Sequence, residues 1–243
     1  MEQAKHRYER MVCIGDSITS GRKATLEQRC WINRLGALIS EFQDCPVTLF
    51  NQGIGANVLV DSGPAYEYSQ KPSGRQRLGR DVISCKPDLV TLAFGTNDLR
   101  GGTPIPQFIS DLEYCIIKIK EQTQAVVVVL STYAIKAYST LAPWNHATPE
   151  LFKIANQKIQ LVCERYGTAY VDVFSAMAQA PWTVDQDQVH PNDLGHALIA
   201  NRVFEGLCQY NSWLSCQAYK NASGEPMWRQ EGELRRTDNL NEF

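Results

Sequence analysis

The chain has 243 residues, 44% of them hydrophobic, and a formal net charge of −2. That is enough to build a substantial core in one large domain or two small ones. Charges of both signs are dispersed with no basic stripe, which argues against a nucleic-acid-binding face. No apolar run approaches the length that crosses a bilayer. The polar opening MEQAKHRYER, which includes His6, has no hydrophobic segment behind it, so a cytoplasmic chain is expected.

In chain order, RMVCIG at 10–15 reads as a strand, and WINRLGALISEF at 31–42 carries apolar residues at helical spacing. A second strand is expected at 47–51 and a helix opened by a serine cap at 73–85. Arg75, Arg77 and Arg80 of that segment are expected on a solvated helix face. DLVTLAFG at 88–95 is a third strand, and residues 106–122 form the strongest helix, with Ile109, Leu112, Ile116 and Ile119 on one side. AVVVVLS at 125–131 is a continuous β-branched run, as expected of a strand covered on both faces. A helix at 148–167 follows, with Thr at its cap and Gly at its end. A strand at 169–174 and a helix at 191–208 complete the series.

Strands alternating with helices imply a five-stranded parallel sheet. Right-handed crossovers wrap it into a three-layer α/β/α sandwich. Residues 1–210 are read as one domain, and 211–243 as a polar tail that straps the surface or is partly disordered. The eight cysteines show no C-x-x-C pair. Most are read as small buried hydrophobes in a reducing compartment.

In open parallel sheets, ligands bind beyond the carboxyl ends of the strands. Gly15-Asp16-Ser17 follows the first strand, NQGIGANV (51–58) the second and GTNDLR (95–100) the third. DQDQVHPND (185–193) precedes the last helix. In strand order 2-1-3-4-5, the first three loops become neighbours. A hydroxyl, a loop of free amides and a carboxamide then converge, which is what acyl transfer requires: a nucleophile with an adjacent base, and donors for an oxyanion. Ser17 is the candidate nucleophile, His190 the base and Asp187 its orienting partner. The candidate donors are the Ser17 amide, an amide of the 53–56 loop and the Asn97 side chain. His196, inside the last helix, is read as structural. Asp16 and Asp98 are read as short carboxylates that accept turn amides. Asp185, Asp187, His190 and Asp193 lack the spacing of metal ligands on one element, so no metal is expected.

Gly15-Asp16-Ser17-Ile18, the 51–58 loop, Gly95-Thr96-Asn97-Asp98 and Asp187-x-x-His190-Pro191 occur in that order. Together they resemble the four sequence blocks of the SGNH (GDSL-like) hydrolases, over roughly residues 10–208. The resemblance implies a flavodoxin-like sandwich and ester hydrolysis by a Ser-His-Asp triad without metal or cofactor. Position by position, it implies Ser17 as nucleophile and first oxyanion donor, Asn97 as donor, His190 as base and Asp187 as its orienter. The family's glycine donor falls on Ala56. A backbone amide survives that change, but a positive φ is unfavourable for alanine. Either the backbone at Ala56 is therefore ordinary, or the donor set leans on Gly55 and Asn97.

Substrate specificity belongs to the loops, with Tyr66, Arg100, Tyr133 and Trp144 as candidates. A small-molecule ester with a short acyl group, such as an acetylated sugar or small alcohol, is the preferred substrate. A lysophospholipase- or thioesterase-type acyl hydrolase, and a non-catalytic flavodoxin-like binding module, are the alternatives. The sequence assigns no oligomeric state.

Overall fold

The computed structural model describes residues 7–222; His6 and residues 223–243 lie outside the described residues. The chain runs β1 (Arg10–Gly15), α1 (Trp31–Gln43), β2 (Thr48–Gly53), α2 (Pro64–Ser69), α3 (Gly74–Asp81), β3 (Leu89–Ala93) and α4 (Thr96–Arg100). It continues through α5 (Ile105–Gln122), β4 (Val126–Leu130), α6 (Pro149–Tyr166), β5 (Ala169–Val171), α7 (Val173–Ala178), α8 (Asp193–Tyr210) and α9 (Ser212–Ala222). The five strands form one sheet in the order β2-β1-β3-β4-β5, and every adjacent pair is parallel.

Side chains alternate across the strands and feed two cores. Met11, Cys13, Val128 and Leu130 point to one face, where Trp31, Leu35 and Ile39 of α1 meet Ile199 and Val203 of α8. Val12, Ile14, Val90, Leu92, Val127 and Val129 point to the other, under Leu78 of α3, Leu112 and Ile116 of α5 and Ile159 of α6. Both faces of the central strands are thus dry, which explains their unbroken apolar runs. The result is the expected three-layer α/β/α sandwich.

The differences from expectation are local. The helix expected at 73–85 opens as read: the Ser73 hydroxyl accepts from the Gln76 amide and Gln76 Oε1 accepts from the Ser73 amide. It ends at Asp81, and a short 3₁₀ turn follows at Ile83–Cys85. Arg77 does not lie on a solvated face, being only 2% exposed. Buried acceptors hold it there, as described below. The strand expected to reach 174 stops at Val171, because Asp172 takes the Ser175 amide and opens α7. The first part of the tail, Ser212–Ala222, is the helix α9. Leu214 is fully buried and Trp213 packs against the same core, while Asn211 Oδ1 accepts the amides of both residues. All eight cysteines are free thiols, and Cys13, Cys30, Cys115 and Cys163 are buried. Among the described residues, no helix is long and apolar enough to cross a membrane.

Candidate active site

The site forms at the carboxyl ends of β1, β2 and β3. Beyond β1 the chain folds into a tight turn in which the Ser20 amide donates to Asp16 O at 3.0 Å and the Arg22 amide to Ser17 O at 2.9 Å. This turn passes so close to β2 that a Cβ on Gly53 would lie 2.1 Å from the Ser20 nitrogen. Only glycine permits that approach. Buried Arg77 ties the strand ends together. Its guanidinium donates to Gly15 O at 3.1 Å, Gln52 O at 2.8 Å and Asn57 Oδ1 at 2.9 Å, with Asp81 as counter-ion at 2.8 Å.

After β3, Gly95 takes φ +106° and turns the chain into α4. Asp98 Oδ1 accepts the amides of Leu59 and Val60 at 2.9 and 3.2 Å, and Oδ2 accepts Gly95 N at 3.1 Å. The carboxylate thereby joins the second and third loops. Asp16 Oδ1 accepts the Ile18 amide at 2.8 Å. Both acids therefore hold turn amides, as read from the sequence. Burial pushes the Asp16 carboxyl up to about 7 and that of Asp98 up to about 6, against the lowering effect of the amides they accept. The Asn97 side chain donates one N–H to Asn57 O at 3.1 Å. Asn97 also lines the cavity, and a carboxamide carries a second N–H donor.

His190 reaches the same cavity from the segment before α8. The Asp185 amide donates to His190 O at 2.8 Å, and the amides of Lys136 and Ala137 donate to Gln188 O. This closes a compact loop. Ser17 Oγ lies 2.8 Å from His190 Nε2, and His190 Nδ1 lies 2.7 Å from Asp187 Oδ2. The other Asp187 oxygen accepts the amides of Val189 and His190 at 3.0 and 2.9 Å, which fixes the carboxylate. Burial opposes ionisation of Asp187, but those amides and the imidazole outweigh it and hold the carboxyl below its ordinary value. Burial pushes the imidazole of His190 down; Asp187 pulls it back up, and the charges of Arg22 and Arg100 lower it further. The net lowering favours the neutral imidazole, the form that can accept a proton.

The cavity measures 540 Å³, and its walls include Ser17, Ala56, Asn97, His190, Arg100 and Trp144. Two of the four specificity candidates are not among them. Tyr133 is only 1% exposed and belongs to the core, because the chain after β4 turns inward. The Tyr66 hydroxyl is held by Gln76 Oε1 at 3.1 Å, away from the cavity. Arg22 and Lys71 also line the cavity, and no sequence signal pointed to them. His196 is fully buried: Nδ1 accepts from Trp31 N at 3.3 Å and Nε2 donates to Arg22 O at 3.0 Å. That is a structural role. Asp193 and Asp185 are engaged elsewhere, by Arg29 at 2.7 Å and Lys23 at 3.0 Å.

Ala56 resolves the question raised by the glycine-to-alanine departure. It stands in the left-handed region at φ +56°, so the backbone there keeps the conformation that glycine adopts freely.

Residues 13–198 match the GDSL-like lipase/acylhydrolase family. The chain belongs to this family and is a carboxylic ester hydrolase. It is 22% identical over 214 residues to an acetylxylan esterase of Geobacillus stearothermophilus, covering 79% of this chain and 90% of that protein. The crystal structure of Axe2, an acetylxylan esterase from the same organism, superposes with a TM-score of 0.63 at 19% identity, over 82% of this chain and 94% of that one. A two-domain esterase active on acetylated mannans superposes with a TM-score of 0.63 at 19% identity, over 84% of this chain but 50% of that one. Solved catalytic mutants of Axe2 replace a serine, a histidine or an aspartate by alanine.

The Ala56 conformation has a measurable consequence. Ala56→Gly relieves about 1–2 kcal/mol of Cβ strain and adds about 0.4–1 kcal/mol of unfolded-chain entropy. Urea denaturation should show a net change between about zero and a gain of about 1.6 kcal/mol with the cavity intact; a clear loss would contradict the left-handed conformation.

Proposed function

We propose that Ser17, His190 and Asp187 are the catalytic triad of an esterase that acts on acetyl-type esters of sugars or small alcohols. The observation that carries this reading is the hydrogen-bonded chain from Ser17 Oγ to His190 Nε2 at 2.8 Å, and from His190 Nδ1 to Asp187 at 2.7 Å. A serine hydroxyl is a weak nucleophile without such a base, and the base needs a partner that fixes its tautomer. The short acyl group is supported by the relatives, which are named for acetylated xylan and mannan. Half-buried Trp144, packed edge-to-face on Tyr68 at 6.0 Å, offers an aromatic wall suited to a sugar.

Ser17 Oγ attacks the ester carbonyl carbon while its proton passes to His190 Nε2. The carbonyl oxygen becomes an oxyanion, for which the amides of Ser17 and Ala56 and the free N–H of Asn97 are the donors. The C–O bond to the alcohol then breaks, and His190 returns the proton to the leaving oxygen. Water, deprotonated by His190, attacks the acyl-enzyme; the acid departs and Ser17 regains its proton. Asp187 steadies the imidazolium throughout and stays ionised.

Purified protein should hydrolyse 4-nitrophenyl acetate, and Ser17→Ala should lower kcat by at least about 10⁴. An unchanged rate in that variant would remove Ser17 from the mechanism. The active base is neutral His190, so kcat/KM rises with pH as the imidazole loses its proton. Because its pKa is lowered, the inflection should fall below the ordinary value of about 6.5. Asp187→Asn removes a group that raises this pKa, so an NMR titration should show His190 shifting further down while kcat drops by about 10⁴. An inflection above the ordinary value, or an upward shift in the variant, would contradict the assignment.

A further inference from the structure

The cavity carries three cationic side chains that the proposed reaction leaves without a task. Arg22 and Lys71 come from two separate loops and Arg100 from the end of α4, and no carboxylate shares the walls with them. Arg100 is unusual among them. It is only 4% exposed, and its Nε–H has no hydrogen-bond partner among the described residues. Asp16 and Asp187 act on it electrostatically, yet each is already committed, Asp16 to the Ile18 amide and Asp187 to His190. A buried guanidinium with an unmet donor is costly unless something supplies the acceptor. Lys71 is fixed at the rim by donating to Gly55 O, beside Ala56. Arg22 is exposed and lines the same cavity from the turn that carries Ser17. A cleft lined by charge of one sign concentrates ligands of the other sign. A planar guanidinium fork suits an oxyanion group better than a neutral sugar hydroxyl.

We infer that this cavity selects esters bearing an oxyanion group, a carboxylate or a phosphate, close to the scissile bond, with Arg100 as the residue that binds that group and Arg22 and Lys71 as its electrostatic surround. The inference rests on the ester-hydrolase reading and adds to it the charge of the substrate.

The test compares O-acetylated methyl glucuronide with its uronamide, and an O-acetylated sugar phosphate with the same sugar lacking phosphate. At least one charged ester should be cleaved with a kcat/KM about tenfold or more above its neutral counterpart, chiefly through KM. Added salt should shrink that preference. The arm that shows it tells carboxylate from phosphate. Arg100→Gln should bring the ratio close to one. Because Arg100 is buried, Arg22→Gln at an exposed position is the second variant, and it should reduce the ratio a few-fold. Equal or faster turnover of both neutral esters, or a preference that persists in Arg100→Gln and Arg22→Gln, overturns this inference and leaves the esterase reading standing. If none of the four esters is cleaved and 4-nitrophenyl acetate is also inert, the esterase reading falls and takes this inference with it.

Discussion

One hydrogen bond organises the molecule: the 2.8 Å contact between Ser17 Oγ and His190 Nε2, which joins residues 173 positions apart in sequence. Neither residue has this chemistry alone. A hydroxyl on a turn and an imidazole before a helix are ordinary surface features until a parallel sheet brings them to one rim. The layered fold supplies the rim, and β1, which lies between β2 and β3, places Ser17 between the loops that follow those strands.

The rim is held by buried polar groups rather than by apolar packing. Arg77 gathers the ends of β1 and β2 together with Asn57, and Asp98 gathers the second loop and the turn after β3. Each is expensive to bury unless fully paired, and each is paired by groups that must sit correctly for the cavity to exist. The same burial sets the electrostatics. It raises the carboxyls of Asp16 and Asp98 and lowers the imidazole of His190. Arg100 is the exception, a buried cation that lines the cavity and whose Nε–H has no partner among the described residues.

Most of the architecture was legible in the sequence, because strands covered on both faces must be continuously apolar and helices on a sheet must be amphipathic. Ser17, Asn97, Asp187 and His190 were legible for a different reason: each sits immediately beyond a strand or before the last helix, where side chains can converge. What was hidden depends on partners far away in sequence. Arg77 looks like a solvated helix charge until Asn57, Gln52 O and Gly15 O surround it. Tyr133 looks like a rim aromatic until the loop after β4 folds it into the core. The helix α9 was masked by the polar residues around Trp213 and Leu214, two side chains that only the crevice beside α1 and α8 makes into anchors. Arg100 was a candidate from the third block, but Arg22 and Lys71 share no motif with it, so only the fold could assemble the three.

The geometry is tested most directly by the crystal structure of the protein after reaction with diethyl 4-nitrophenyl phosphate. The account requires phosphorus bonded to the oxygen of residue 17, the phosphoryl oxygen within hydrogen-bond distance of the amides of residues 17 and 56 and of the Asn97 carboxamide, and His190 beside the ester oxygen. An adduct on another residue, or a phosphoryl oxygen pointing away from all three donors, would contradict it.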